Sequence, residues 1–233
     1  MKKEFDYLRG NLELVMSKIE KAALKSGRKA DSVKVIAVTK TVEPEKISAM
    51  LDEGITDLGE NRVQELTKKY DIINKECNWH HIGHLQSNKV KYIVDKVKLI
   101  HSVDRLSLAS EIQKRAQKAG TIIDVLVQVN VSREESKFGV YKEQLLELLK
   151  KISTFDSMRV RGLMTMAPYD ENPENIRYVF SNLKDLSIDI QQKKLDNISM
   201  EFLSMGMSND YEVAIEEGAN MVRIGTALFG KRD

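Results

Sequence analysis

Apolar positions at the start of the chain recur at three- and four-residue steps: Leu8, Leu12, Val15, Ile19 and Ala22. That period lines one face of a helix, so residues 4–26 are read as an amphipathic helix, broken by "SGRKADS". The pattern then alternates between two kinds. Short apolar, β-branched runs near residues 33–39, 56–59, 79–82, 98–102, 122–130, 159–164, 199–204 and 220–224 read as strands, the second ("TDLG") being the weakest. Between them lie stripes at helical spacing. Val63, Leu66, Tyr70 and Ile73 form one, and Val90, Ile93, Val94 and Val97 another. Leu145, Leu148, Leu149 and Ile152 form a third, and Ile176, Val179, Phe180 and Leu183 a fourth.

Start and stop signals agree with this division. Pro44 and Pro173 stand where a first helical residue would be, and Gly54, Gly120 and Gly218 follow helix ends. The run "IIDVLVQVNV" is apolar at both alternating sets of positions, as a parallel strand covered on both faces should be. Strands alternating with helices in this way predict a (β/α)₈ TIM barrel with an extra N-terminal helix, one domain spanning 1–233. A doubly wound open sheet is the rival, because periodicity does not reveal whether the sheet closes. No repeat, low-complexity tract or linker marks a boundary.

Composition narrows the class. A length of 233 residues, 42% hydrophobic and 31% charged, suits a soluble globular protein with a sizeable core. The 37 basic and 35 acidic residues are interleaved and leave a net charge of +2, which argues against a nucleic-acid footprint or a polybasic membrane patch. The single cysteine, Cys77, rules out an internal disulfide framework and sits in "NKECNWH", where it is read as a structural thiol in a reducing compartment. The N-terminus "MKKEFDYLRG" has no apolar signal region and no stretch approaches a membrane span, so a cytoplasmic protein is expected.

In such a barrel, functional groups gather at the C-terminal ends of the strands. Three features fall there. Lys40 closes the first strand run, "VKVIAVTKT". "SMGMSND" (residues 204–210) leaves strand seven with Gly206 for close backbone approach, two serine hydroxyls and fresh N–H donors. "VRIGTALFG" (residues 222–230) leaves strand eight with Gly225 and Thr226. Phosphate groups bind after strands seven and eight of such barrels, and closure would set that cradle beside Lys40. An amine one ligand-length from a phosphate site suggests a phosphorylated aldehyde or ketone held as a Schiff base, with Arg223 on its far side. A solvated lysine at a strand end is the alternative, and the residues alone leave both open. His80, His81 and His84 in "WHHIGHLQSNK" invite a metal reading, but Gly83 breaks helical character and no carboxylate or thiol is near in sequence. Hydrogen-bonded histidines with no metal are expected. Met164, Met166, Met205 and Met207 are read as adaptable filler near the mouth, with Met164 also a candidate to face a planar ligand.

The segments "VIAVTKT", "DLGENRVQE", "WHHIGHLQSNK", "HSVDR", "VNVSREESKFG", "GLMTMAPY", "LSMGMSNDYEVAI" and "VRIGTALFG", in this order, closely resemble the pyridoxal phosphate homeostasis protein family, which is related to the N-terminal barrel of alanine racemase. The resemblance runs from about Val33 to Gly230. It implies a fold-type III barrel carrying pyridoxal 5'-phosphate (PLP) on a lysine, which Lys40 matches. Ser204, Ser208, Gly225 and Thr226 match positions associated with the phosphate, and Arg223 matches the residue facing the pyridine nitrogen. Asn61 and Met164 match pocket positions. His81 departs from the pattern, since relatives tend to carry a bulky apolar residue there.

A guanidinium against the ring nitrogen disfavours pyridinium formation by like-charge repulsion, which restrains carbanion chemistry. The expected function is therefore to hold PLP and hand it to apo-PLP enzymes in cofactor homeostasis, without robust catalysis. The alternative is an amino-acid racemase-like enzyme. Racemisation needs an acid/base group on each face of the substrate; alanine racemases take the second from a tyrosine of an additional domain, and only "GTALFGKRD" follows the last strand. Tyr169, after strand six, is a possible substitute that nothing in the sequence places. A Schiff-base aldolase shares the lysine-plus-phosphate logic but not the resemblance. With no obvious apolar seam, a monomer is expected.

Overall fold

The structure, a computed structural model, describes residues 5–230. Residue 4, the first of the expected N-terminal helix, lies outside them. Helix α1 (Tyr7–Lys25) buries Leu8, Val15, Ile19 and Ala22 of the expected stripe, with Ala23 beside them and Leu12 half-buried. Each large apolar side chain so buried contributes about 1.5–3 kcal/mol, enough to hold the helix against the domain.

The strands are β1 (Lys34–Val38), β2 (Asp57–Glu60), β3 (Asn78–His81), β4 (Leu99–Val103), β5 (Ile123–Gln128), β6 (Met158–Met164), β7 (Ile198–Met207) and β8 (Met221–Ile224). They form a closed barrel in sequence order. Closure is direct: β8 pairs in parallel with β1, Lys34 opposite Met221 and Ala37 opposite Ile224. The open-sheet rival is thereby excluded. Helices α2 (Pro44–Asp52), α3 (Val63–Ile72), α4 (Leu106–Ala119), α5 (Lys142–Ile152), α6 (Arg177–Gln192), α7 (Tyr211–Glu216) and α8 (Thr226–Phe229) alternate with the strands. Pro44 opens α2 as expected, whereas Pro173 opens a 3₁₀ turn, Pro173–Ile176, just ahead of α6. Helix α1 lies against α7 and α8, pinned by Asn11 Nδ2 donating to Leu228 O at 2.8 Å.

Three local departures follow from residue chemistry. Between β3 and β4 the stripe Val90, Ile93, Val94 and Val97 is buried as expected, but on a 3₁₀ helix, Ser87–Tyr92, followed by turns. Its β-branched residues lose side-chain freedom in an α-helix, and apolar burial is reached without one. On α3, Tyr70 is exposed and Lys69 is buried instead. Finally, β7 runs to Met207, past the expected end at residue 204, which sets one expected site residue, Ser204, below the mouth, as shown below.

The barrel interior is partly polar. His101 on β4 bonds Ser204 on β7, a contact that can only cross the interior. Apolar filling comes from Leu99, Leu126, Met164 and Met221, and from Ile36, Val38 and Ile82. Among the described residues no helix is long and apolar enough to cross a membrane.

Candidate functional site

Lys40 lies in the turn two residues beyond β1, at the C-terminal mouth of the barrel. The backbone around it is clamped from α3. Lys69 Nζ donates to Thr39 O at 2.6 Å, and Glu65 Oε2 accepts from Thr41 N at 2.9 Å. Residues 65 and 69 are one helical turn apart, so a single face of α3 grips both sides of Lys40. Thr41 holds a left-handed φ of 60°, a conformation costly for a non-glycine residue unless its surroundings enforce it. Lys69 also meets Glu60 Oε1 at 2.6 Å, and Thr39 Oγ1 donates to the same oxygen at 2.7 Å. Burial pushes the Glu60 carboxyl up, against the hydrogen bond and charge of Lys69 and the hydrogen bond of Thr39.

A cleft of about 420 Å³ opens at this mouth, lined by Lys40, Asn61, Ser208, Arg223, Gly225 and Thr226, among others. Six expected residues thus converge. Ser208 Oγ accepts from both Gly225 N and Ala227 N at 3.3 Å, so these N–H groups converge on one oxygen beside the cleft. Gly206 permits this arrangement: its φ is +93°, and a Cβ there would sit 2.7 Å from Ala214 Cβ and 2.9 Å from Tyr211 Cα. On the opposite side, a Cβ at Gly83 would lie 2.3 Å from Asn61 O, so only glycine lets the loop after β3 lie on the Asn61 backbone.

Arg223 ends deep in the cleft at 3% exposure, with Nη1 donating to Ser204 Oγ at 2.6 Å and Nη2 to Thr165 O at 2.8 Å. Burial lowers its guanidinium to about 10, opposed by the charge of Asp210. It remains a cation at neutral pH. Asp210 accepts from Met207 N at 2.5 Å, and burial raises its carboxyl.

Two expected residues do not line the cleft. Ser204 is fully buried beneath it, bonded to His101 and Arg223, because β7 continues past it and Ser208, half-buried, takes the place in the lining. Met164 pairs with Ser204 across β6 and β7 and packs in the interior with Leu99, Leu126 and Met221; Met166 lines the cleft in its place. In both cases a residue just beyond the strand end, nearer the mouth, lines the cleft instead. The lining also includes Tyr169, the tyrosine noted after strand six, and Glu134, Lys137 and Asp210, which were not singled out. Glu134 and Lys137 sit on the loop after β5, and their position behind a strand end was the available signal. That loop is tied to the one after β3 by His84 stacked on Phe138, ring centroids 3.8 Å apart.

Of the histidines, His80 is hydrogen-bonded as expected, to Asp57 and His101 at 2.9 Å each. His81 is not: both its ring nitrogens are buried without a hydrogen-bond partner among the described residues. No group of three or more His, Cys, Asp and Glu side chains among the described residues converges as a metal site. Burial raises the Cys77 thiol, and Asp57 adds to the effect. A larger groove of about 950 Å³ lies along α1 and α2 rather than at the strand ends.

The family model described as "Alanine racemase, N-terminal domain" matches residues 11–233, which agrees with the barrel. A pyridoxal phosphate homeostasis protein of Aquifex aeolicus is 49% identical over 95% of this chain and 96% of its own. A solved structure of an unknown protein from Bifidobacterium adolescentis superposes with a TM-score of 0.90 at 35% identity, covering 95% of this chain and 94% of the other. PipY of Synechococcus elongatus, solved with PLP bound, superposes with a TM-score of 0.79 at 32% identity, covering 85% of this chain and 93% of PipY. A barrel of the alanine racemase N-terminal class is thus the broader assignment; within it, the chain belongs to the pyridoxal phosphate homeostasis protein family.

Proposed function

We propose that this chain binds pyridoxal 5'-phosphate at the barrel mouth and serves in the cytoplasm, as a monomer, to hold the cofactor and deliver it to apo-PLP enzymes. The observation that carries the reading is the convergence, in one cleft, of an amine, a buried guanidinium and a set of N–H and hydroxyl donors. Lys40 would bind the aldehyde carbon. Ser208, Thr226 and the N–H groups of Gly225 and Ala227 would take the phosphate, where Ser208 Oγ already shows these amides reaching an acceptor. Arg223, a donor in every state at neutral pH, would meet the ring nitrogen and keep it unprotonated. When bound, PLP supplies an electron-withdrawing ring; a ring held neutral withdraws less.

That last point favours holding over catalysis. Tyr169 supports the same side: it is 77% exposed at the rim, and among the described residues no hydrogen bond fixes its phenol. The relative solved with PLP bound is consistent with the ligand.

Borohydride reduction of the PLP-loaded protein followed by peptide mapping is expected to place the adduct on Lys40. An adduct on another lysine, or none with excess PLP, would overturn the reading. Incubation with single amino-acid enantiomers is expected to leave chirality unchanged over hours, and robust turnover would instead establish the racemase-like alternative. Transfer of PLP to an apo-enzyme, compared with free PLP at equal concentration, tests delivery.

A further inference from the structure

The barrel interior carries a row of polar side chains, of which the reading above gives a role only to Arg223. Asp57 opens β2 at the floor of the barrel, and its Oδ1 lies 2.9 Å from His80 Nε2. His80 Nδ1 is 2.9 Å from His101 Nε2, and His101 Nδ1 is 2.9 Å from Ser204 Oγ. Ser204 Oγ in turn accepts from Arg223 Nη1 at 2.6 Å. Four hydrogen bonds therefore join a carboxylate on the floor to the guanidinium in the mouth. None of the five residues is more than 4% exposed.

The partners at the two ends determine how the protons are placed. Arg223 can only donate, and an ionised Asp57 can only accept. Burial works against the Asp57 carboxylate, yet the hydrogen bonds of His80 and Thr56, with the charge of Lys34, hold it below the usual carboxylate range. His80 must then carry its proton on Nε2. With both rings neutral, His80 Nδ1 accepts from His101 Nε2–H, His101 Nδ1 accepts from the Ser204 hydroxyl, and Ser204 accepts from Arg223. Every bond points toward Asp57, and every group in the row has its partner. Were His80 cationic instead, both inner bonds would reverse and the Ser204 proton would lose its acceptor, an unsatisfied buried donor. Burial lowers both histidines. For His80, Asp57 opposes this while Lys34 and Lys98 add to it; for His101, the neighbours His80, Arg223 and His81 add to it. Hydrogen bonds in series polarise one another, so the carboxylate acts at the far end through the row.

We propose that His80, His101 and Ser204 are positioning residues forming a one-way hydrogen-bond relay through which Asp57 holds Arg223 fixed and charged against the cofactor ring. The inference rests on the PLP reading for the ring it acts upon. The relay itself can be read without ligand.

The test uses ¹⁵N-labelled protein, without and with PLP, as wild type and as Ser204→Ala, Ser204→Thr and Asp57→Asn. In the ligand-free wild type, nitrogen shifts and one-bond couplings should show His80 and His101 both neutral, each protonated on Nε2. In Ser204→Ala the adduct should still map to Lys40, while PLP affinity falls about tenfold and the visible absorption of bound PLP moves, the loss expected when a charged donor loses one acceptor. Ser204→Thr, which keeps the hydroxyl, should restore both. Asp57→Asn, isosteric and four bonds away, should move the absorption in the same direction as Ser204→Ala. A cationic His80, a proton on His101 Nδ1, or an absorption that moves in Ser204→Ala but not in Asp57→Asn would overturn the relay. A wild type that takes up no PLP would overturn the proposed function, while the ligand-free tautomers would still decide the relay.

Discussion

Replacing Lys69 by methionine is expected to destabilise the protein by about 3–5 kcal/mol, the usual cost of removing one member of a buried ion pair. Lys69 and Glu60 have side chains 8% and 0% exposed and meet at 2.6 Å, and among the described residues no other cation pairs with the Glu60 carboxylate. Without it, Glu60 Oε1 keeps the Thr39 hydroxyl, and Oε2, which has no partner among the described residues even now, stays bare. The Glu60 carboxyl, already raised by burial, would rise further. The sign of the pH dependence follows. A folded-state value raised above the unfolded one, about 4.3, means that the variant is most stable below that value and loses stability as pH climbs toward the raised folded value. Denaturant unfolding of Lys69→Met at several pH values checks this, and adding Glu60→Gln should recover most of the loss and flatten the pH dependence. The same variant removes one of two donors to Thr39 O, the carbonyl next to Lys40, and leaves only Val42 N, so the rate of Lys40 labelling by PLP and borohydride should also fall. If Lys69→Met unfolds at the wild-type denaturant concentration, the clamp on Lys40 is not held by this pair.

Lys69 also shows where the sequence stops being informative. A lysine on an amphipathic helix is read outward, and only the depth of Glu60 on the neighbouring strand turns it inward. Lys40, Arg223, Gly225 and Thr226 were legible because a topological rule places chemistry at strand ends, and each stands just at or beyond one. The place of Ser204 was illegible for a smaller reason. Nothing local in "LSMGMS" shows that pairing with β8 carries β7 on to Met207, where Met207 faces Arg223. Closure was illegible in kind, since the pairing of β1 with β8 joins residues at opposite ends of the chain. The polar row inside the barrel is similar: Ser204 and His101 are 103 residues apart, and no spacing rule connects them.

His81 was the one position where the sequence departed from the resemblance, and its structure makes the departure costly. Its ring is fully buried, and neither nitrogen has a partner among the described residues, so a donor and an acceptor are desolvated without return. Replacing both by carbon of similar volume removes that cost, and His81→Leu is expected to stabilise the protein by about 1–3 kcal/mol at pH 7. The gap should then widen in acid. Burial, followed by the charge of His84, lowers His81 from 6.5 to about 4. Between those values the unfolded chain takes up a proton that the folded chain refuses, so wild-type stability falls with pH through this window. At about 1.36 kcal/mol per pKa unit the window contributes about 3 kcal/mol, all of it absent from the leucine variant. His80 and His101 are lowered in the same direction in both proteins, and the difference between the two curves reads His81 together with its charge on His101. Paired unfolding curves from pH 7 to pH 4 measure it directly. A gap that stays constant across that range would mean that His81 takes its proton as readily folded as unfolded, and that a solvent path or a partner reaches the ring.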